Sequence, residues 1–309
     1  MAAPIITVVM PTFNRLEFLR AAVASVYAQI MEDWELIVVD DGSDERTREF
    51  LRNPPDSRMS VVFHPHTGVP AIIRNIGIAR ARGRYVAFLD SDDQWAADKL
   101  KLQLELMESE PARRWSYTAL RRIDADGRVM NVRPIPWVPY SGPILEPILR
   151  MEATIATPTV MANLSLLREL GGFDEKMRFI EDYDLWARLA LRSEASCDGR
   201  ELVDVRAHAE QFWLDRTGGL GGLVSFYAKM EGLVPTLRLR SLCRRRKRDK
   251  LLSLAAQHAR VRDWAGMRRT LVAAVQAHAW GPRGWLRVAK AVALSSRYQE
   301  PRSPTRGEQ

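Results

Sequence analysis

The sequence is poor in cysteine and has no long apolar run. Its 309 residues include only Cys197 and Cys243, and this spacing matches neither a disulfide framework nor a zinc motif. No segment approaches the roughly 18 apolar residues that a membrane-spanning helix needs. The first fifteen residues lack the basic and apolar regions of a secretory signal. These absences predict a cytoplasmic protein without a membrane span.

Acidic residues are scarce toward the C-terminus. Residues 200–309 contain 22 lysines and arginines against 9 acidic residues, whereas residues 1–199 contain 24 against 29. The densest basic run is RRRKR at 244–248. Such a run is a solvated surface or a site for an anionic partner. Anionic lipid headgroups attract it and would hold the protein on the inner face of the cell membrane. Nucleic acid is not expected, because aromatic residues are not interleaved as in single-strand binders.

The first 95 residues alternate between strand and helix patterns. Short runs rich in β-branched or aromatic residues predict strands at 5–10, 35–39, 59–63 and 85–89. They lack clean polar alternation, which is typical of strands buried on both faces of a parallel sheet. Helical periodicity predicts helices at 16–29 and 74–81. The alternation indicates an α/β fold built from βαβ units.

The rest of the chain divides by composition. Residues 131–147 hold five prolines and are predicted to form a loop, whereas 164–192 reads as helix, Gly-Gly stop, loop and helix. Beyond 220 the pattern is helical, with a pair of antiparallel helices at 251–294. We therefore predict a domain at 1–218, with halves at about 1–95 and 96–218. A basic helical extension at 219–300 and a disordered tail at 301–309 follow it.

Polar and acidic residues follow three of the predicted strands. The turn at 11–14 follows the first, Asp40 and Asp41 follow the second, and the run DSDD at 90–93 follows a later one. Ligands of open parallel sheets bind outside the carboxyl ends of the strands. Carboxylates this close together require a divalent metal, nearby arginine or lysine, or water. The alternative is that the aspartates only cap the following helices.

Four stretches occur in the order and spacing of a known family. They are VVMPTFNR, LIVVDDGSDERT, GVPAIIRNIGIARARGRYVAFLDSDDQWAADKL and GGFDEKMRFIEDYDLW. Together they resemble the GT-A-fold glycosyltransferases of family 2, of the bacterial type, over residues 4–210. The resemblance implies a Rossmann-like nucleotide-diphospho-sugar transferase fold with a mostly parallel central sheet, followed by a C-terminal helical extension.

The resemblance also implies a role for particular residues. Asp182 would be the catalytic base, and Asp92 would bind Mn²⁺ or Mg²⁺, with His208 near the diphosphate or the metal. Glu181 and Trp95 are expected on the acceptor side, although for Trp95 a position in the hydrophobic core is the alternative that its residue type favours. The residues expected to contact the nucleotide are Pro11, Thr12, Asn14, Asp40, Asp41, Arg74 and Asp90.

These roles imply an inverting, metal-dependent hexosyl- or N-acetylhexosaminyltransferase. The donor would be a nucleotide-diphosphate sugar, most commonly a UDP-sugar in this family, and the acceptor a hydroxyl of a glycan or a lipid-linked glycan. Two rival functions remain. A sugar-nucleotide pyrophosphorylase needs a glycine-rich phosphate loop after the first strand, but that segment reads MPTFNRLEF. A catalytically degenerate binding subunit would keep the fold without turnover.

Overall fold

The computed structural model describes residues 3–130, 137–197, 199–207 and 216–276. The strands are β1 (Ile6–Thr12), β2 (Trp34–Asp40), β3 (Met59–Phe63), β4 (Tyr85–Phe88), β5 (Gln94–Trp95), β6 (Trp115–Ser116), β7 (Ala119–Ile123), β8 (Met161–Asn163), β9 (Ala195–Ser196) and β10 (Glu201–Arg206). The helices are α1 (Leu16–Tyr27), α2 (Glu45–Leu51), α3 (Pro70–Arg80), α4 (Lys99–Ser109), α5 (Leu145–Leu149), α6 (Leu164–Glu169), α7 (Glu181–Ala190), α8 (Arg216–Leu233), α9 (Leu237–Arg260) and α10 (Trp264–Gln276).

The main sheet has seven strands in the order β3-β2-β1-β4-β8-β6-β9. Strands β1 to β4 are parallel, and β8 joins the sheet antiparallel to β4. All residues of β2 and nearly all of β1 are buried, because helices cover both faces of such a sheet. The predicted α/β class with a mostly parallel sheet is confirmed.

The predicted elements of the first 95 residues are all present. Helix α3 begins at Pro70, four residues before its predicted start at Arg74. A proline suits the first turn of a helix, where its missing N–H would have no intrahelical partner. The pattern of helix, Gly-Gly stop, loop and helix over 164–192 is also present, as α6 and α7.

A second sheet of three strands was not predicted. Strand β10 pairs antiparallel with β5 and parallel with β7. These strands are short and lie far apart in the sequence, so no local pattern indicates their pairing. The small sheet positions the DSDD run at 90–93, which we call the acidic turn or DSDD turn. Strand β5 begins directly after Asp93, and β10 ends at Arg206.

The chain divides into two units, Met1–Phe212 and Trp213–Gln309. The boundary predicted between residues 218 and 219 falls inside α8. Residues 131–136 of the predicted proline-rich loop, the predicted helical residues 277–300 and the predicted tail at 301–309 lie outside the described residues.

The described part of the second unit consists of α8, α9 and α10. The inward side of α8 carries the buried side chains of Phe226, Tyr227 and Met230. Leu251 and Leu252 of α9 form a small apolar cluster with residues of α10. Within the described ranges, no helix is both long enough and apolar enough to cross a membrane.

Candidate active site

The carboxyl ends of β1, β2 and β4 lie side by side at one edge of the main sheet. Thr12, the last residue of β1, lies opposite Asp40, the last residue of β2. The register of β1 with β4 places the DSDD turn next to them. The three strand ends that the sequence singled out therefore meet at the edge of the sheet where ligands of such folds bind, and we call this place the crevice. The buried hydroxyl of Thr12 has no hydrogen-bond partner among the described residues.

The two aspartates after β2 are used differently. Asp40 is fully buried, accepts a hydrogen bond from the Ser43 backbone N–H and lies 3.3 Å from Arg48 Nε. Asp41 accepts bonds from Thr67 N–H at 2.7 Å and from Gly68 N–H at 2.9 Å. Asp41 therefore holds the loop before α3 in place, and its hydrogen-bonding capacity is largely used within the protein.

The turn between β2 and α2 needs glycine at Gly42. Its φ is +80°, and a Cβ there would lie 2.7 Å from the backbone nitrogen of His66. Asn14 braces the same turn, since its side-chain oxygen accepts a hydrogen bond from the Asp44 N–H at 2.9 Å. Its backbone N–H donates to Ser43 Oγ at 2.7 Å. The turns after β1 and β2 are thus bonded into one wall of the crevice.

Arg74 joins the acidic turn to the start of α7. Its Nη2 lies 2.7 Å from Asp90 Oδ1, and its Nη1 lies 3.0 Å from Glu181 Oε1. The guanidinium is buried and also lies over the ring of Phe173. Because Arg74 is in α3, this bridge connects residues that lie 107 positions apart in the sequence.

The second and third carboxylates of the turn have partners of their own. Asp92 Oδ2 lies 2.8 Å from Arg15 Nη1. Asp93 is buried and accepts a hydrogen bond from the Arg206 N–H at 2.9 Å. The Arg206 side chain is also buried and donates to the carbonyl of Asp92 at 3.0 Å. Burial, reinforced by the charges of Asp92 and Asp90, raises the pKa of Asp93 well above its ordinary value.

The turn after β1 is in a strained backbone conformation. Asn14 and Arg15 both have positive φ values, 55° and 59°. Side chains with a Cβ adopt the left-handed region at a cost of about 1 kcal/mol or more each. This conformation places Arg15 at the start of α1, from where it contacts Asp92. Arg15 was not singled out from the sequence, although it ends the motif PTFNR.

Asp182 lies at the first turn of α7, beside the bridge formed by Arg74. Burial raises its pKa to about 7, and the neighbouring Glu181 carboxylate contributes, while the Tyr183 N–H and Arg74 oppose the shift. Its Oδ1 accepts a bond from that N–H at 2.7 Å. A carboxylate with a pKa near neutrality is suited to accept a proton from a hydroxyl.

The structure treats three of the predicted site residues differently from the prediction or does not describe them. Trp95 is buried, its indole N–H donates to the Pro158 carbonyl, and Lys99 Nζ lies 3.9 Å from its ring centre. A buried indole has no face open to a sugar, so the structure does not support an acceptor contact through Trp95. Pro11 lies inside β1 rather than in the turn. His208 lies outside the described residues.

An exposed aromatic ring at the crevice was missed from the sequence. Phe13 follows β1, is 41% exposed and stacks on His66 with a centroid distance of 4.1 Å. His66 in turn contacts the backbone oxygen of Asp41 through Nδ1 at 2.8 Å. Phe13 was recognisable as a large apolar residue in a polar strand-end turn.

The acidic turn suits a divalent cation only if some ligands come from a substrate. Within the described residues, no group of three or more histidine, cysteine or acidic side chains is arranged to hold a metal. Mg²⁺ commonly binds through one or two carboxylates together with phosphate oxygens. The carboxylate of Asp92 is a hard oxygen ligand of this type, and it already lies against a cation, Arg15. The residues present therefore fit a metal brought with a phosphate-bearing ligand.

Curated relatives match between about a third and two thirds of the chain. A glycosyltransferase of Rickettsia bellii that has not been characterised is 35% identical over 205 residues, covering 66% of this chain and 29% of the relative. The Escherichia coli UDP-Glc:alpha-D-GlcNAc-diphosphoundecaprenol beta-1,3-glucosyltransferase WfgD is 37% identical over 103 residues, which are 33% of this chain and 41% of WfgD. The matched part spans about a third of the length of three Rickettsia relatives, those of R. bellii, R. conorii and R. felis.

Solved structures share the fold at low sequence identity. Staphylococcus aureus TarS 1–349, in complex with UDP-GlcNAc, superposes with a TM-score of 0.62 at 16% identity, covering 89% of this chain and 93% of the 1–349 chain. The mannosyltransferase PcManGT of Pyrobaculum calidifontis, in complex with GDP-Man and Mn²⁺, gives 0.61 at 18% identity, covering 96% and 81%. These similarities confirm the GT-A fold.

The family model described as "Glycosyl transferase family 2" matches residues 7–167, more than half of the chain. That range contains all but the first residue of β1, strands β2 to β8, the strand ends of the crevice and the acidic turn. The resemblance seen in the sequence motifs is thereby confirmed, and the chain belongs to glycosyl transferase family 2.

Proposed function

We propose that this chain transfers a sugar from a UDP-sugar to a hydroxyl of a glycan or lipid-linked acceptor, with inversion at the anomeric carbon. The observation that carries the proposal is the position of Asp182. Its carboxyl group, with a pKa of about 7, lies beside the Arg74 bridge to the DSDD turn. This position supports a proton acceptor next to a nucleotide crevice at one edge of the sheet.

Asp182 acts as the general base in this proposal. The acceptor hydroxyl gives its proton to the Asp182 carboxylate while its oxygen attacks the anomeric carbon, and the bond from that carbon to the diphosphate oxygen breaks. A single displacement with one base inverts the anomeric centre. A positioned base typically contributes a 10²–10⁴-fold acceleration. Arg74 holds Asp90 and Glu181 in place around the base.

Asp92 would hold the Mn²⁺ or Mg²⁺ ion. When bound, such an ion stabilises the negative charge that develops on the leaving diphosphate. The Mn²⁺ named with PcManGT supports a divalent ion in this fold. Arg15 lies against Asp92 and supplies further positive charge at this point of the crevice.

The assignment of a uracil nucleotide rests on relatives and on the crevice wall. TarS is described in complex with UDP-GlcNAc, and WfgD is named for UDP-Glc. The exposed ring of Phe13 offers a stacking surface for a base, and the carboxylate of Asp40, at the end of the neighbouring strand, would accept a hydrogen bond from a base N–H. Thr12 and Asn14 complete this wall.

For the acceptor, we propose only a chemical class. The name of WfgD specifies a sugar on diphosphoundecaprenol, a lipid-linked acceptor. We propose an acceptor of the same chemical class, used in surface polysaccharide synthesis. The basic helices of the second unit would then bring the enzyme to an anionic membrane surface, where such acceptors lie.

Thermal unfolding with nucleotides tests the donor assignment. UDP, GDP, dTDP and ADP are compared with and without Mn²⁺, on the wild type and on Asp92→Asn. A ligand at 100 times its dissociation constant stabilises the folded state by about 2.7 kcal/mol. We expect UDP with Mn²⁺ to give the largest shift and Asp92→Asn to lose the metal-dependent part. If no nucleotide shifts the wild type, the proposed donor site is wrong.

A further inference from the structure

The turn between α8 and α9 exposes large apolar side chains. We call residues 232–245 the hairpin tip. Leu237 is 82% exposed and Leu233 is 47% exposed, and Pro235 between them is also exposed. Apolar side chains that are exposed next to one another, rather than singly, are typical of surfaces that bind a protein or a membrane.

The exposure is not a consequence of a poorly formed turn. Val234, between the two leucines, is fully buried, and so is Met230 one turn earlier in α8. The Thr236 side chain caps α9 by accepting a bond from the Leu239 N–H at 3.3 Å. Arg240 Nε donates to the Val234 carbonyl at 3.2 Å. The tip therefore has a defined conformation in which the inward apolar residues are buried and the leucines point outward.

The same surface is strongly basic. The segment from 232 to 248 contains seven arginines and lysines and no acidic residue. Four of the arginines, at positions 238, 240, 244 and 245, are exposed within the first turns of α9. Glu231, just before the segment, contacts Arg244 and Lys247. The hairpin tip thus combines apolar side chains at its end with positive charge along its side.

We propose that the hairpin tip docks on an anionic lipid bilayer, with Leu233 and Leu237 entering the interface and the arginines contacting headgroup phosphates. Apolar insertion combined with basic charge is how interfacial segments bind membranes. A nucleic acid would use the charge but would leave both leucines exposed to water. The inference rests on the proposed membrane partner and not on the transfer reaction.

Vesicle cosedimentation of the full chain tests the charge component. The vesicles contain phosphatidylcholine and phosphatidylglycerol in equal parts, or phosphatidylcholine alone. Each arginine at such a surface changes binding by roughly fivefold, so we expect Arg238→Gln with Arg245→Gln to weaken it by roughly 30-fold. The matched control is Arg268→Gln with Arg269→Gln, two exposed arginines of α10. It should weaken binding by less than about threefold.

A second pair of variants tests the apolar component. Leu233→Ser with Leu237→Ser should weaken vesicle binding roughly tenfold, because insertion of apolar surface is lost. The control is Val272→Ser with Val275→Ser, which removes exposed apolar side chains of α10 without touching the tip. The control should leave binding unchanged. Retained nucleotide-dependent thermal shifts in every variant show that folding and the donor site are intact, so failure here is distinct from failure of the proposed function.

Four results would overturn the proposal. The first is equal losses in the tip and control variants, which would mean diffuse attraction by the whole basic unit. The second is equal binding to vesicles of phosphatidylcholine alone, and the third is no binding to the anionic vesicles. The fourth is tight binding to duplex or single-stranded nucleic acid without vesicle binding, which would make the surface a nucleic-acid site.

Discussion

The two units of the chain handle charge in opposite ways. In the first unit the carboxylates at the sheet edge are buried or partly buried, and arginines contact them: Arg48 at Asp40, Arg74 at Asp90 and Arg15 at Asp92. In the second unit, residues 232–248 contain seven basic residues and no acidic one, although Glu231 and Asp249 at either end pair with Arg244, Lys247 and Arg248. Burial demands a partner for each charge, whereas an exposed surface tolerates an excess of one sign.

The difference has a consequence for substitutions. A charge removed from the first unit leaves its partner buried and uncompensated, which is costly. A charge removed from the exposed face of α9 changes the stability of the fold by little, because exposed charges are screened by water and salt. In the first unit, a single charge substitution should therefore lower the stability of the fold. In the second unit, the effect should depend on how many charges are changed.

The largest expected effect is the loss of catalysis in the variant Asp182→Asn. The variant keeps the shape of the side chain but cannot accept the acceptor proton, so transfer should fall by about 10²–10⁴-fold. The measurement is UDP release from UDP-sugars with p-nitrophenyl glycosides as acceptors. UDP binding, followed by thermal shift, should be unchanged. Unaltered turnover would exclude Asp182 as the base, and wild-type chain without any turnover would favour a binding subunit.

The bridge through Arg74 should dominate stability at the sheet edge. Arg74→Met leaves Asp90 and Glu181 without their shared cation, so we expect a loss of about 3–5 kcal/mol in the free energy of unfolding. Urea unfolding followed by circular dichroism measures it. The control is Arg46→Met, which breaks an exposed pair with Glu17 and should cost at most about 1 kcal/mol. Similar losses for both would mean that burial does not distinguish the pairs.

Replacing one helical glycine in each unit by alanine compares the packing around the helices of the two units. At Gly77 in α3, a Cβ would lie 2.4 Å from Val9 Cγ1, so Gly77→Ala should destabilise the protein by about 1–3 kcal/mol. At Gly219 in α8, a Cβ meets nothing within 4 Å. Gly219→Ala should stabilise α8 by about 0.5–1 kcal/mol, because alanine favours the helix. Destabilisation by Gly219→Ala would indicate that α8 needs the glycine for another reason.

A further small effect is the pH dependence contributed by Asp182. Its folded pKa is about 7 against an ordinary value of 3.8, so the folded state holds the proton more tightly than the unfolded state. Its contribution to stability is therefore fully present below pH 3.8 and is lost as pH rises to about 7. Because Asp182 is partly exposed, we expect Asp182→Asn to gain only about 1–2 kcal/mol over wild type in that interval.

Urea unfolding between pH 4 and 8 measures this difference. The gain should level off above about pH 7, where Asp182 is ionised in both states. A gain that is already complete at pH 4 would mean that the variant acts through packing and not through the charge.

Local sequence patterns predicted the elements better than they predicted the contacts of the site. The strands ending at Thr12 and Asp40 were recognisable because buried strands are apolar runs followed by polar turns. The bridge from Arg74 to Glu181 was not, because it joins residues 107 positions apart. Trp95 was placed on the acceptor side by its position in a motif, but the pairing of β5 with β10 turns it inward.

The sequence by itself determined the order of strands and helices, the acidic turn at the end of β4 and the basic character of the second unit. These are properties of neighbouring residues, and short-range periodicity and composition record them. Only the tertiary structure decided which cation meets which carboxylate, as with Arg15 and Asp92. It also decided that Leu237 stays exposed while Val234 is buried. Those outcomes depend on chain segments that meet only after folding, because pairing and burial are set by distances in space.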